Sequence, residues 1–485
     1  MKLEPHMKKY RILTLFLIFC LLLPLCAVPA AAMEDGVYTS PVNEESIPYE
    51  GFAVNAKAAA LIDLNNGRTI YELNMDEKVY PASLTKIMTC LIALENGNLS
   101  DIVTVTESAF VGLDGSSSSS GLQVGEQLTL ENALYCLMLA SGNEAANVIA
   151  EHIAGSAADF VRMMNERAYE LGCTNTHFAN PHGLHNDDHY TTVRDLAVIT
   201  QAALKSETFK IISNTATYTL PATNLSDERQ LETTNQLINN TTSNPFYYSK
   251  AIGIKTGYTT PAGRCVISTA KSGGMYFLAV VCGAETTLLP NGEIRMESFP
   301  ECIRLFRYGF ENYAYVTAIS PLYPVAQIRV NNSAASEVVS LAPQTDIKLL
   351  LPKTYDPALL TVEPQLSAPA TEAPVSTGDV FGTVSVYYDG ELLGTTNLTA
   401  INDVARSEIS AAASQTSSYI QRSWWKWVVI VIALLIAAVI VFLIYAAIRR
   451  RTEMRRRMAA RRRALEKRRR FRDEFDDGDY PEESD

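Results

Sequence analysis

The sequence predicts an α+β protein: an antiparallel sheet with helices, then a small β-rich domain, then one transmembrane helix. Three observations carry this. Apolar, β-like runs bounded by Gly and Asn form a hairpin over 58–73 and a meander over 251–281. Between them, apolar residues recur at helical spacing, most clearly from Thr129 through Leu139. No charged residue occurs from Val428 to Ile448, a run of 21 residues that is long enough to cross a bilayer.

At the start of the chain, Lys8, Lys9 and Arg11 precede an apolar run from Ile12 to Val28, and Ala30-Ala31-Ala32 follows. This pattern predicts a secretory signal over residues 1–32, cut before Met33. Leu25 before Cys26 is too large for the usual lipid-attachment motif. Residues 33–50 contain Pro and Glu and read as a flexible lead. Asn65-Asn66-Gly67 then joins two β-like runs, 58–64 and 68–73, as a hairpin turn. The short Ser116–Ser120 run reads as a loop between structured elements.

At the other end, Trp424, Trp425 and Trp427 mark one membrane interface, and four arginine triplets within 449–470 follow the other. An excess of arginine beside a span marks the cytoplasmic side, so everything upstream is expected outside the cell. The plain role of the tract is to set topology and to rest on anionic lipid. The net charge of −12 includes these arginines, so the external part is more acidic than the total. That argues against nucleic acid as its partner. The final acidic run from Asp473 to Asp485 reads as disordered.

Of eight cysteines, Cys20 and Cys26 lie in the signal, and Cys90 and Cys136 lie in apolar helical runs. Cys173, Cys265, Cys282 and Cys302 show no metal-binding spacing, and a disulfide among them is compatible with an external location.

The chemistry centres on Ser83-Leu84-Thr85-Lys86. Its apolar continuation, Ile87 to Leu94, reads as a buried helix that stops at Asn96-Gly97. Ser83 is then expected at a helix N-terminus with Lys86 one turn on, on the same face. A serine hydroxyl needs a base, and a lysine whose pKa is depressed by burial can serve. Alone the pattern is weak: Ser268-Thr269-Ala270-Lys271 also matches, but in a β-like run, where positions i and i+3 face opposite ways. Ser141-Gly142-Asn143 breaks two apolar helices and offers a hydroxyl and an amide to a cleft, although either residue could simply cap a helix. Lys255-Thr256-Gly257-Tyr258 ends the strand 251–254, where Lys and Thr can bind a carboxylate and Gly257 permits close approach. Its bland alternative is a surface turn. His182, His185 and His189, with His177, invite a metal reading, but Gly and Asn between them leave their geometry unfixed. A loop folded near the cleft, followed by a helix from Thr192 through Leu204, is the expectation.

The three motifs in this order match the set shared by penicillin-binding proteins and class A β-lactamases. With Asn180-Pro181-His182-Gly183-Leu184 as further support, residues 51–310 resemble the low-molecular-weight penicillin-binding proteins, the serine-type D-alanyl-D-alanine carboxypeptidases of peptidase family S11. Residues 311–405 resemble that family's second, β-rich domain. Their own strand-like runs and the Asp389-Gly390 turn agree. A stalk over 406–427, the span 428–448 and a cytoplasmic tail 449–485 complete the expected organisation. The span departs from members that lie on the membrane through an amphipathic helix.

The resemblance implies roles for each motif residue. Ser83 is the nucleophile, Lys86 its base, and Ser141 the relay to the leaving amine. Asn143 orients substrate and Lys86. Lys255 and Thr256 bind a terminal carboxylate beside Gly257, and the N–H groups of Ser83 and Tyr258 form an oxyanion hole. It implies a peptidoglycan stem peptide as substrate, β-lactams as covalent inhibitors, no metal or organic cofactor, and a single-pass protein of a bacterial cell membrane. Three other readings share the motifs. One is a class A-like β-lactamase, disfavoured because the loop from Phe178 to Tyr190 has no glutamate. Another is a catalytically silent, membrane-tethered cell-wall binding protein. The third is transpeptidation or endopeptidase cleavage by the same residues.

Overall fold

The computed structural model describes residues 48–473, apart from 116, 242–243, 289–293 and 335–336. The expected signal, most of the flexible lead and the acidic run from 474 onward lie outside the described residues. The chain forms two units. One comprises the residues up to Val316 together with Leu349–Asp356, and the other comprises Thr317–Lys348 and the residues from Pro357.

The first unit is built on five antiparallel strands: β1 (Ala58–Asp63), β2 (Thr69–Leu73), β3 (Ala251–Thr259), β4 (Gly263–Ser272) and β5 (Met275–Ala284). Their order is β2-β1-β5-β4-β3, so the N-terminal hairpin pairs with the far edge of the meander. The two glycines between β4 and β5, at 273 and 274, both take positive φ, which a tight turn needs. Both faces of the sheet are buried, and this explains why its strands read as nearly continuous apolar runs. Ala60, Ile267 and Val280 point to one core, while Leu61, Val266 and Val281 point to the other.

The first core is closed by α1 (Lys86–Asn96), α2 (Leu130–Met138), α3 (Asn143–Ala154), α4 (Ala157–Glu170), α5 (Val193–Ala203) and α6 (Glu207–Ser213). Their ends follow capping chemistry. The Thr129, Ser156 and Thr192 side chains accept from the N–H three residues on, and Gly155 ends α3 in the left-handed conformation. The second core lies under α7 (Ser298–Asn312), whose Phe306 and Phe310 meet Phe277 and Leu61 of the sheet.

The second unit is built on a six-stranded sheet: β6 (Ala326–Asn331), β7 (Val338–Pro343), β8 (Leu360–Leu366), β9 (Ala370–Glu372), β10 (Val380–Tyr388) and β11 (Glu391–Ala400). Their order is β8-β10-β11-β7-β6-β9, and β6 and β9 run parallel. Asp389 and Gly390 both have positive φ, the geometry of a two-residue hairpin turn that matches strand twist. From Glu408 to Asp473 the chain is one helix, α8, which contains all but the first two residues of the expected stalk, the apolar run and the arginine tract. Its segment from Trp424 is long and apolar enough to cross a membrane.

Two local expectations need correcting. The α-helix begins at Lys86, not at Ser83, which sits in a short 3₁₀ turn over Ala82–Thr85. Lys255 does not end its strand either: β3 continues to Thr259 after a bulge between Ile252 and Lys255, because β4 keeps pairing it as far as Gly263. The six cysteines among the described residues are buried free thiols, so no disulfide joins Cys173, Cys265, Cys282 and Cys302 here.

Candidate active site

The 3₁₀ turn is what aligns the central pair. With three residues per turn, positions i and i+3 eclipse, and Lys86 Nζ lies 3.0 Å from Ser83 Oγ. Ala82, immediately before Ser83, is held at φ +48°, a strained conformation for a residue with a side chain. Gly183 explains the constraint. Its position (φ +90°) would put an added Cβ 1.9 Å from the Ala82 carbonyl oxygen, so the 180–189 loop presses directly on the backbone of the 82–85 turn.

Lys86 is fully buried. Its Nζ also lies 2.6 Å from Asn143 Oδ1 and 2.7 Å from the His182 carbonyl oxygen, which both accept. Burial first, and then the charge of Lys255, hold the Lys86 pKa well below the ordinary amine range, with buried Glu144 opposing. In its uncharged form the amine has two N–H donors and one lone pair; with Asn143 and His182 taking the donors, that form leaves the lone pair for the Ser83 hydroxyl.

Asn143 is the first residue of α3, and its own N–H donates to Ser118 O. Glu144 beside it is buried and accepts from Ser119 Oγ, Ser120 Oγ and Ser120 N at 2.6–2.8 Å. The serine run is therefore a loop tied to the base of this helix. Ser141 is buried at φ +59° on the break between α2 and α3 and lines the same cleft as Ser83.

The third motif approaches from β3. A Cβ at Gly257 would come within 3.0 Å of Pro81 O and 3.1 Å of Ser83 N, so glycine lets this strand run against the 82–85 turn without those neighbours giving way. Thr256 Oγ1 is 2.7 Å from Thr234 Oγ1. Lys255 Nζ donates to Thr256 O at 3.2 Å and, more weakly, to Thr234 Oγ1 at 3.5 Å. Burial lowers the Lys255 pKa to about 7. Ser83, Ser141, Asn143, Thr256, Gly257 and Tyr258 thus line one cleft of about 730 Å³. A larger groove of about 950 Å³, lined by Glu151, His152, Asn180, Pro181 and His182 among others, contains no residue of the Ser83–Lys86, Ser141–Asn143 or Lys255–Gly257 motifs.

The histidines have other partners. His189 Nδ1 accepts from Ala179 N, so its Nε2–H is the one that meets Thr85 Oγ1 at 2.7 Å. Burial keeps His189 neutral, with its pKa near 3. His182 Nδ1 accepts from Leu184 N, and the His185 ring sits edge-on to Tyr80. The second S-x-x-K match splits across the sheet: Ser268 is buried and donates to Gly253 O, while Lys271 is exposed over Tyr276.

Three features of the cleft had no sequence signal: the His182 carbonyl, Glu144 and Thr234. A carbonyl is present at every residue. A lone Thr in a loop or a Glu in the first turn of a helix is ordinary. Gly183 could have been suspected from its place in a Pro-His-Gly turn. Gly183→Ala is expected to lower stability by about 3 kcal/mol, from backbone strain and overpacking against Ala82. Urea unfolding checks this, and an unchanged midpoint would mean the loop yields without cost.

The description of peptidase S11, D-alanyl-D-alanine carboxypeptidase, matches residues 42–286, and that of the penicillin-binding protein 5 C-terminal domain matches 317–406. The D-alanyl-D-alanine carboxypeptidase DacF of Bacillus subtilis is 33% identical over 407 residues, covering 82% of this chain and 95% of that one. DacC of Escherichia coli K12 is 31% identical, covering 70% and 82% respectively. The structure of penicillin binding protein 5 from Haemophilus influenzae matches with a TM-score of 0.55 at 28% identity, covering 73% of this chain and 99% of its own. The fold and its cleft are those of a serine-type hydrolase of the penicillin-binding-protein class. The chain belongs to the D-alanyl-D-alanine carboxypeptidases of peptidase family S11.

Proposed function

We propose that this carboxypeptidase removes the terminal D-alanine of a peptidoglycan stem pentapeptide outside the cell, through an acyl-enzyme on Ser83. Ser83 Oγ bonds to the carbonyl carbon between the two D-alanines as its proton passes to Lys86. The N–H groups of Ser83 and Tyr258 hold the oxyanion, a contact worth about 3 kcal/mol per donor. The C–N bond then breaks, and Ser141 relays a proton to the departing amine. Water, deprotonated by Lys86, hydrolyses the ester. Lys255 and Thr256 clamp the terminal carboxylate, and Asn143 holds Lys86 and the peptide. The observation that carries this reading is the Lys86 amine, 3.0 Å from Ser83 Oγ with two acceptors engaging its N–H groups. The segment 428–448 of α8 crosses the membrane in this reading, with the arginine tract inside the cell on anionic lipid.

Mass spectrometry of a synthetic stem pentapeptide after incubation with the protein tests the reaction. Loss of one alanine supports it; an unchanged or crosslinked peptide overturns it. Penicillin kinetics separate the β-lactamase alternative: a long-lived adduct is expected, and fast turnover would favour the lactamase.

The clamp gives the reaction a pH signature. Lys255 titrates near 7 in the free protein, and the cation is lost as pH rises through that value. The value of kcat/KM should therefore fall on the alkaline side, chiefly through KM. Lys255→Arg keeps its charge across this window and should remove that alkaline limb. An unchanged limb in the variant would assign it to another group.

A further inference from the structure

We propose that Arg264 selects stem peptides whose acyl portion carries a free carboxylate on the residue preceding the two D-alanines. The proposal rests on the Ser83 acyl-enzyme reading and deepens it. Along β3, Lys255 and Thr256 come before Gly257 and Tyr258, and Gly257 lies against Ser83 N. The scissile carbonyl therefore sits level with Gly257 and Tyr258. The leaving D-alanine, held by its carboxylate, lies toward Lys255 and Thr256. The acyl chain must continue the other way, past Tyr258. Arg264 is the β4 partner of Tyr258, whereas Thr256 pairs with Val266 and Lys255 with Ile267. At about 3.3 Å per residue, Arg264 lies roughly 7 Å beyond the clamp on the acyl side.

The state of this arginine sets it apart. Its guanidinium carbon is 4.0 Å from the centre of the Tyr258 ring. Its Nε is buried without a hydrogen-bond partner, a state Arg229 Nε shares, but no carboxylate meets Arg264 among the described residues. In the same unit Arg162, Arg167, Arg194, Arg229, Arg304 and Arg307 each reach a carboxylate. Stacking occupies one face of the guanidinium and leaves the in-plane N–H donors, which match a carboxylate in bidentate geometry. Arg264 also lines the cleft that holds Ser83 and Ser141. A preformed, stacked and unneutralised guanidinium at the acyl end suits an anionic side chain. The chemical class implied is a diamino dicarboxylic acid with its side-chain carboxylate free, rather than lysine or the amidated diacid.

The test uses the full chain in detergent and three pentapeptides that differ only in their third residue: diaminopimelate, its side-chain amide, and lysine. The parent should cleave the free acid with kcat/KM about tenfold or more above the other two, the effect of one charge-assisted contact. In Arg264→Ala that ratio should fall to about one, and Arg264→Lys should recover part of it. Penicillin acylation of Ser83 in both variants reports an intact fold. Equal cleavage of all three peptides by the parent overturns the proposal while leaving the carboxypeptidase reading standing. A ratio that survives in Arg264→Ala also overturns it, and so does an equal loss on all three peptides, which would place Arg264 on a group they share. Cleavage of none by the parent removes the acyl-enzyme reading itself.

Discussion

Ser83→Ala is expected to lower D-alanine release by about 10⁴-fold or more, with little change in stability. Among the described residues Ser83 carries the one hydroxyl hydrogen-bonded to the Lys86 amine. Ser141 is a buried motif hydroxyl, but it sits on the break between α2 and α3, whereas the 3₁₀ turn brings Ser83 to the lysine amine. Ser83 is half-buried at the cleft surface, so losing one hydroxyl there removes no core contact. The strained Ala82 conformation and the fit of Gly183 are backbone features that the variant keeps. Single-turnover kinetics on the pentapeptide measure the effect, and near-parental release would point to another nucleophile.

Lys86→Arg is expected to reduce acylation by about 10³-fold, the size of a general-base contribution. Arginine carries its proton at any pH the protein tolerates and cannot take one from Ser83. It would also bring a permanent charge into a fully buried site. The parent's pH dependence follows from the same burial. Lys86 loses its proton well below the ordinary amine range, so acylation should rise with pH through that depressed value. The linked effect on stability has the same sign. Between the folded-state pKa and the unfolded value the unfolded chain binds more protons, so this group's contribution to stability grows as pH rises. A penicillin acylation profile in Lys86→Arg that keeps the parent's rising limb would assign the base elsewhere.

Much of this site is legible in the sequence. Asn-Gly at 66–67, Gly-Gly at 273–274 and Asp-Gly at 389–390 marked turns because each demands backbone angles that few residues accept. Helix boundaries at Thr129, Gly155 and Thr192 followed from capping chemistry. The motif residues stood out only as a set. What stayed hidden was set by long-range packing. The start of α1 at Lys86 depends on the loop pressing on Ala82, and the extent of β3 depends on its partner β4. The acceptors that engage the Lys86 N–H groups come from residues 57 and 96 positions away in the chain. No local pattern records such contacts.

The central claim is that one hydroxyl, activated by one uncharged lysine, carries the acyl group. Intact-mass and peptide mapping after brief exposure to penicillin tests it most directly. The account predicts a single stoichiometric adduct, stable over many minutes, on the peptide containing Ser83 and absent from Ser83→Ala. An adduct on a different residue, or none at all on a folded protein, would contradict it.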